Sequence, residues 1–344
     1  DATARGAKLL TRTECMAAKR EGSGWLARLR SGTGEREVAA QAVVNAAGPW
    51  VKSVLNDRLH QPSRDNVRLV KGSHIVVPRL YEGEHAFILQ NEDRRVVFMI
   101  PYEGSFTLIG TTDVAYEGDP SCPEASAAEA DYLCRAASRY LVRPVYPAEI
   151  VWRYAGVRPL YDDGTADPSA VTRDYVLRLD SDQDCAPVLS VFGGKITTYR
   201  RLAEHALEKL APWFPAMGPA WSASTPLPGS AIPGGDVSRF EQHLTQRYPK
   251  LPQPLLQALA RRHGALAYDV LGNAASIADL GEHFGAELYA REVDYLVERE
   301  WAVTAEDVLW RRTKTGLHLS RVQYEAVARH LTQRSSSLTP SPSP

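Results

Sequence analysis

The feature that most constrains the fold is a strand, a double-glycine turn and a helix in succession. An apolar run from Val188 to Phe192 leads into Gly193 and Gly194, and Lys195 follows them. Glycines allow the backbone to approach a ligand closely, and the unpaired N–H groups at a helix start attract negative charge. The segment is therefore a candidate anion site, although Gly-Gly at such a turn can equally serve packing alone. The helical pattern places apolar or small residues at Ile196, Tyr199, Ala203, Ala206, Leu207 and Leu210.

Two arginines could complete a site for an anion. The segment from Trp152 to Leu160 predicts a strand that Pro159 ends, so that Arg158 projects beyond the sheet edge. Arg173 precedes a further predicted strand, from Tyr175 to Leu179. Together with Lys195 they would suit a phosphate or carboxylate, because guanidinium groups bind such oxygens bidentately. The alternative is that both are ordinary surface arginines.

A histidine lies in the next candidate segment, which runs from Arg68 to Pro78. We predict a strand to Val70, a bend at Gly72 and a second strand beginning at His74. A histidine at such a bend can titrate near neutrality and take a proton during catalysis. It could also be hydrogen-bonded at a sheet rim without any catalytic role.

Small residues mark the last candidate segment, which runs from Val43 to Trp50 and precedes a helical pattern from Val51 to Leu59. Such residues allow a flat ligand to lie against the main chain, but they also allow tight packing of a helix on a sheet. The small residues are Ala46, Ala47 and Gly48.

Composition narrows the class of protein. A length of 344 residues predicts about two domains, and a net charge of −1 implies no general attraction to nucleic acid. No apolar run is long enough to cross a bilayer, so at a membrane the protein would lie on the surface. The four cysteines are scattered without a C-x-x-C pair, which predicts neither a disulfide framework nor a metal site. They are Cys15, Cys122, Cys134 and Cys185.

The C-terminal third reads as helical. From Asp236 to His330 the apolar periodicity is that of helices, after a stretch rich in Pro, Gly and Ser. A core role is predicted for Leu255, Leu259, Leu266, Val270, Trp301, Val308 and Leu309.

Several long motifs occur together and in one order, which chance does not explain. From Leu9 to His330 the chain resembles the FAD-dependent glycerol-3-phosphate dehydrogenases of the aerobic, respiratory type. The motifs are VVNAAGPW, VRLVKGSHIVVP, LIGTTDVAYEGDP, YAGVRPL, TRDY, VFGGKITTYRRLAEHAL and EVDYLVEREWAVTAEDVLWRRTKTGL.

The resemblance implies an α+β fold. It combines part of an FAD-binding domain, of the glutathione-reductase-like or D-amino-acid-oxidase-like kind, with a mostly antiparallel substrate-domain sheet and a small all-α C-terminal domain. The expected divisions are residues 1–66 (partial FAD-binding domain), 67–180 (substrate-binding sheet), 181–211 (return to the FAD-binding domain), 212–235 (linker), 236–334 (helical domain) and 335–344 (disordered tail).

The resemblance also implies a reaction. Sn-glycerol 3-phosphate would be oxidised to dihydroxyacetone phosphate by hydride transfer to FAD, and the electrons would pass to a membrane quinone. The enzyme would be cytoplasmic, peripheral on the inner face of the cytoplasmic membrane, and would form a homodimer. His74 is the expected base, Arg158 and Lys195 are expected to be catalytic, and all three would bind substrate together with Arg173.

The expected FAD contacts come from three segments. The helix that follows Gly194 would place its positive end beside the flavin pyrimidine edge, and Cys15 would lie near the adenine end. The full set is Cys15, Ala46, Ala47, Gly48, Trp50, Gly193, Gly194, Lys195, Ile196 and Thr197.

One departure from the family pattern matters. The family begins with a strand, a G-x-G-x-x-G turn and a helix that seat the FAD pyrophosphate, and the chain resembles only the C-terminal two thirds of the family. The run from Gly22 to Ala27 matches the fingerprint formally, but its context predicts a hairpin turn. Three alternatives stay open: an oxidase that uses oxygen, a flavin amine oxidase, which the cationic residues suit less well, and a non-catalytic fragment unable to hold FAD.

Overall fold

The computed structural model describes residues 1–110, 113–162, 174–181 and 185–338, without the side chains of residues 335–338. Arg173 and residues 339–344 lie outside the described residues. The chain forms two compact units, residues 12–223 (the sheet unit) and residues 1–11 with 224–344 (the helical unit). Residues 1–11 and 224–235, expected in the FAD-binding domain and the linker, thus group with the helical unit. The finer domain boundaries stay a prediction.

The sheet unit opens with a three-stranded antiparallel sheet. Gly22, at φ +58°, lies in the turn between its first two strands, so the fingerprint match is a hairpin, as predicted. The first strand begins at Glu14, and Trp25 is buried beneath the sheet, where its indole N–H donates to the Pro187 carbonyl at 3.1 Å. The strands are β1 (Glu14–Glu21), β2 (Gly24–Ser31) and β3 (Gly34–Ala40).

A small mixed sheet carries the two glycine segments. Its central strand, Val188–Gly193, pairs in parallel with β4 (Val43–Asn45) and antiparallel with a strand at Tyr175–Asp180. After β4, the helix predicted from Val51 to Leu59 is a single α-turn, α1 (Val51–Ser53), that continues as a π-helical turn, Val54–Arg58.

The second sheet has six antiparallel strands, which are β5 (Val67–Pro78), β6 (Phe87–Gln90), β7 (Val96–Tyr102), β8 (Phe106–Gly110), β9 (Val114–Ala115) and β10 (Trp152–Tyr161). Their order is β10-β5-β8-β7-β6, with β9 also paired to β5. Two predictions about it are wrong. Gly72 makes no bend, because it pairs with Gly156 inside one continuous strand, so His74 lies within a strand. Pro159 does not end its strand, because β10 is an edge strand and needs no donor on its open side.

One helix, α2 (Ala127–Ser138), covers a single face of this sheet. Ser126 caps it, in a capping box with Glu129. Side chains alternate between faces along a strand, so Ile75 and Val77 pack beneath α2 while His74 points to the opposite face.

The mixed sheet ends in the predicted glycine turn. Its remaining strands are β11 (Tyr175–Asp180) and β12 (Val188–Gly193), both at the predicted places. A 3₁₀ turn, Ile196–Thr198, then leads into α3 (Tyr199–Leu210).

The helical unit contains five α-helices and one short hairpin among its described residues. Of the predicted core positions, Leu266 is half-buried and Trp301 is 40% exposed, which corrects the prediction for Trp301. Trp301 takes the left-handed conformation that ends a helix, so its side chain leaves the helical face. The elements are α4 (Val237–Arg247), α5 (Gln253–His263), α6 (Ala267–Leu271), β13 (His283–Gly285), β14 (Leu288–Tyr289), α7 (Ala290–Glu300) and α8 (Arg321–Leu338).

Candidate active site

The strand register brings His74 and Arg158 to one face of the six-stranded sheet. His74 is paired with Tyr154 on β10 and with Gly110 on β8, and Arg158 is paired with Val70. Directly paired residues share a face, and residues two or four apart along a strand share it too. His74, Tyr154 and Arg158 therefore line the face that α2 leaves uncovered.

His74 lies in a confined environment. Its ring stacks on Tyr154 with the centroids 5.0 Å apart and the planes within 6° of each other. Its Nδ1 atom is buried and has no hydrogen-bond partner in the part of the chain that the structure describes. Burial, and then the positive charge of Arg158, lower the pKa of His74 below its ordinary value. The imidazole is therefore neutral near pH 7 and able to accept a proton.

Arg158 is oriented by a residue that the sequence did not single out. Its Nη1 donates to Oδ1 of Asp113, which lies three residues beyond the end of β8. The guanidinium carries five N–H donors, so a carboxylate partner still leaves it able to bind an anion. The one sequence signal for Asp113 was its place in the motif LIGTTDVAYEGDP.

Both glycine segments converge on Pro159, the neighbour of Arg158. A side chain at Gly193, φ +72°, would place its Cβ 3.0 Å from the Asp174 carbonyl and 3.6 Å from that of Pro159. A Cβ at Gly48, φ +56°, would lie 3.9 Å from Cγ of Pro159. Three of the four candidate segments therefore meet at one place, and glycine is needed at Gly193 because its backbone is both left-handed and crowded.

The surface beside this meeting point is open and partly apolar. Ile196 is 87% exposed and Trp50 is 44% exposed, and Thr197 and Ala46 are exposed as well. Lys195 is exposed and forms no ion pair with the described residues. Beneath this surface the buried Asn45 fixes the turn, because its amide donates to the Val51 carbonyl at 2.8 Å and its oxygen accepts from the Ala47 N–H at 3.3 Å.

The small residues and the helix start suit the edge of a flat, negatively charged cofactor. Ala47 and Gly48 add little bulk above the turn that Asn45 holds. The first N–H groups of a helix have no partner within it, and here they follow a turn that only glycines form easily. Residues 46–50 and 193–197 therefore fit the edge of a flavin, and their contact with the cofactor stays a prediction.

Two of the predicted site residues, Cys15 and Arg173, are not placed beside His74, Arg158 and the glycine segments by the described structure. Cys15 lies on β1, its thiol points at the Ala17 carbonyl at 3.8 Å, and its pKa is raised by burial. It packs against the core around Trp25, so its place beside the adenine stays a prediction. Arg173 lies outside the described residues, and its role also stays a prediction.

The described residues contain neither a candidate metal site nor a candidate membrane-spanning helix. No group of three or more His, Cys, Asp or Glu side chains there could hold a metal ion. No described helix has both the length and the apolar character needed to cross a bilayer. All four cysteines are free thiols.

Known proteins resemble this chain over nearly its whole length. The aerobic glycerol-3-phosphate dehydrogenase of Escherichia coli is 46% identical over 96% of this chain, and the D-erythritol 1-phosphate dehydrogenase of Brucella abortus is 47% identical over 94%. The chain spans 66% and 65% of the lengths of these two relatives. A crystal structure of the glycerol-3-phosphate dehydrogenase from Bacillus halodurans complexed with FAD superposes with a TM-score of 0.79 at 27% identity, over 97% of this chain and 67% of that one.

Two family descriptions together cover almost the entire chain. The FAD dependent oxidoreductase family matches residues 1–200, and the C-terminal domain of alpha-glycerophosphate oxidase matches residues 222–335. These matches confirm the predicted α+β fold with its helical C-terminal domain, and the relatives confirm the resemblance drawn from the motifs. The chain belongs to the FAD-dependent oxidoreductase family.

Proposed function

We propose that this chain forms the substrate-binding part of a flavoenzyme that oxidises sn-glycerol 3-phosphate to dihydroxyacetone phosphate. The observation that carries the proposal is a neutral, confined His74 on the same uncovered sheet face as Arg158, which lies next to the meeting point of the two glycine segments. A base and a cation on one face match the needs of an alcohol that bears a phosphate.

The reaction assigns a role to each residue. His74 takes the proton of the C2 hydroxyl, and Arg158, Arg173 and Lys195 hold the phosphate or the C2 oxygen. FAD, when bound, accepts the hydride that leaves C2, so that the C2–O bond becomes a carbonyl. Its ring would lie along Ala46 to Gly48 and Trp50, and the helix start at Gly193–Thr197 would stabilise negative charge on it.

A longer polyol phosphate is a second candidate substrate. The Brucella abortus relative is named for D-erythritol 1-phosphate, and its 47% identity lies beside the 46% of the Escherichia coli enzyme. Overall similarity therefore does not separate the two substrates. A comparison of kcat/KM for the two phosphates would rank them.

The proposed acceptor of the electrons is a membrane quinone. The resemblance implies a membrane quinone and a peripheral position on the inner face of the cytoplasmic membrane. An exposed apolar surface on α3 supports contact with a bilayer, because Tyr199 and Leu207 are 52% and 50% exposed. Homodimer formation is proposed from the resemblance alone.

A flavin absorbance spectrum tests the proposed function. The purified chain is mixed with FAD, freed of excess cofactor, and measured before and after the addition of glycerol 3-phosphate. We expect a bound flavin spectrum that bleaches on substrate. A bound flavin that neither phosphate bleaches would contradict the proposed substrates, and a chain that retains no flavin would behave as the non-catalytic fragment.

A further inference from the structure

The ring of His74 is held from one side by an aromatic row. Tyr154 stacks on it at a centroid separation of 5.0 Å, and Trp152 lies 4.6 Å beyond Tyr154. Trp152 and Tyr154 are two residues apart on β10 and therefore share its face with His74. These two neighbouring rings restrict the orientation of the imidazole plane.

The backbone of β8 holds the ring from the other side. A Cβ at Gly110 would lie 2.1 Å from Cδ2 and 2.6 Å from Nε2 of His74. The edge of the ring that carries Nε2 therefore lies directly over Gly110. It occupies the space that the Cβ of any larger residue would fill. Since real Cβ atoms do not approach other atoms this closely, any side chain at Gly110 must displace the imidazole.

The burial of the two ring nitrogens differs. Nδ1 is buried without a hydrogen-bond partner, whereas Nε2 is not buried in this way and makes no hydrogen bond to the described residues. Nε2 is thus the nitrogen that can meet a ligand on the uncovered face. The orientation of the ring decides which nitrogen is available.

We propose that Gly110 and Tyr154 are positioning residues, which clamp the His74 ring between them and so present Nε2 to the substrate. The reaction that this clamp serves rests on the proposed function, but the clamp itself is a property of the chain alone. A base that is held in one orientation is already placed to accept the proton, because its side chain does not have to change rotamer first.

The clamp also controls the electrostatic environment of the imidazole. Arg158 from β10 is the charged group that acts on the imidazole, and Asp113 beyond β8 is the carboxylate partner of Arg158. Tyr154 from β10 stacks on the ring, and Tyr102 of β7 lies on the same face by strand register. Its own-strand neighbours on this face are Val70, Gly72 and Val76, none of which carries a charge. Burial is the largest cause of the lowered pKa of His74, so opening the clamp should raise that pKa toward 6.5.

The first test needs no cofactor. The pKa of His74 is measured by NMR titration of the ring-labelled chain, with the signal assigned through His74→Gln. We expect Gly110→Ala and Tyr154→Ala to raise this pKa and Tyr154→Phe to preserve it. Gly156→Ala is the matched control on the same face, because a Cβ there meets no described atom within 4 Å. An unchanged pKa in both clamp variants would overturn the proposal.

The second test uses the FAD-loaded chain. Gly110→Ala and Tyr154→Ala should each slow flavin reduction by about a hundredfold, the range of a lost general base, with little change in substrate affinity. If the unaltered chain reduces no flavin, the proposed function fails while the titration still decides the clamp. If Gly110→Ala does not fold, Tyr154→Ala on the edge strand decides it, and Tyr154→Phe should restore both readouts.

Discussion

At the scale of single residues, the protonation state of His74 determines the pH range in which the proposed reaction runs. Its lowered pKa keeps the imidazole neutral, so the rate of flavin reduction should stay constant from neutrality down to a pH below 6.5 and fall once the ring is protonated. His74→Ala should lower the reduction rate by about 10² or more, remove this acidic limb, and change substrate affinity less. Stopped-flow reduction across pH checks both. An unchanged rate in His74→Ala would remove His74 from the role of base.

Arg158 is the residue for which charge, not proton transfer, should matter. Arg158→Ala should reduce turnover by about 10²–10³ while flavin stays bound, because a lost charge-stabilising donor costs about that much. Steady-state turnover and the flavin spectrum of the variant measure the two effects. Loss of flavin together with activity would contradict the assigned role. Asp113→Asn, which keeps the shape of the partner but removes its charge, shows how much of the effect depends on orientation by Asp113.

At the scale of elements, one carboxylate joins α2 to β5. Glu129 accepts hydrogen bonds from Lys71 at 2.9 Å, from Ser73 at 3.0 Å and from Ser126, whose backbone it also caps. Burial opposes the ionisation of Glu129, but these hydrogen bonds outweigh it and lower its pKa to about 2. Because Lys71 and Ser73 precede His74 on the same strand, the contact also fixes the strand that carries the proposed base.

Glu129→Gln should therefore destabilise the sheet unit. We expect a loss of about 1–2 kcal/mol in the free energy of unfolding at pH 7, after allowance for solvent screening. A carboxyl with a depressed folded pKa stabilises above its unfolded pKa of 4.5 and loses that contribution as the pH falls toward 2, so the difference between variant and parent should shrink there. Urea unfolding at several pH values measures it. Glu124→Gln, at an exposed position, is the control.

At the scale of the whole molecule, an apolar surface on the sheet unit is the candidate for membrane contact. Leu207 of α3, with Phe214, Met217 and Trp221 after it, lines a cavity of about 610 Å³. Leu207→Glu combined with Trp221→Glu should weaken binding to vesicles of mixed anionic and neutral phospholipid by about tenfold or more, since each buried apolar side chain contributes about 1.5–3 kcal/mol. Vesicle flotation measures this. Val322→Glu, an exposed apolar residue of α8, is the control, and equal flotation of all three proteins would contradict the assignment.

Local signals in the sequence determined a substantial part of this protein. The hairpin in place of a dinucleotide fingerprint, the cap at Ser126 and the Gly193-Gly194 turn each follow from steric and hydrogen-bonding preferences of a few adjacent residues. The motifs were sufficient for the family. Where local rules failed, at Gly72 and Pro159, a neighbouring strand or an open sheet edge removed the reason for a break.

Only the tertiary structure decided which residues meet. The pairing of β5 with β8 and β10 set His74 over Gly110 and against Tyr154, and it put Arg158 on the same face. Asp113 became the partner of Arg158 across 45 positions of sequence. Strand register couples residues far apart in the chain, and a shift of one position would turn every side chain to the other face. Short-range patterns carry no information on that register, so the candidate segments could be predicted, but their convergence could not.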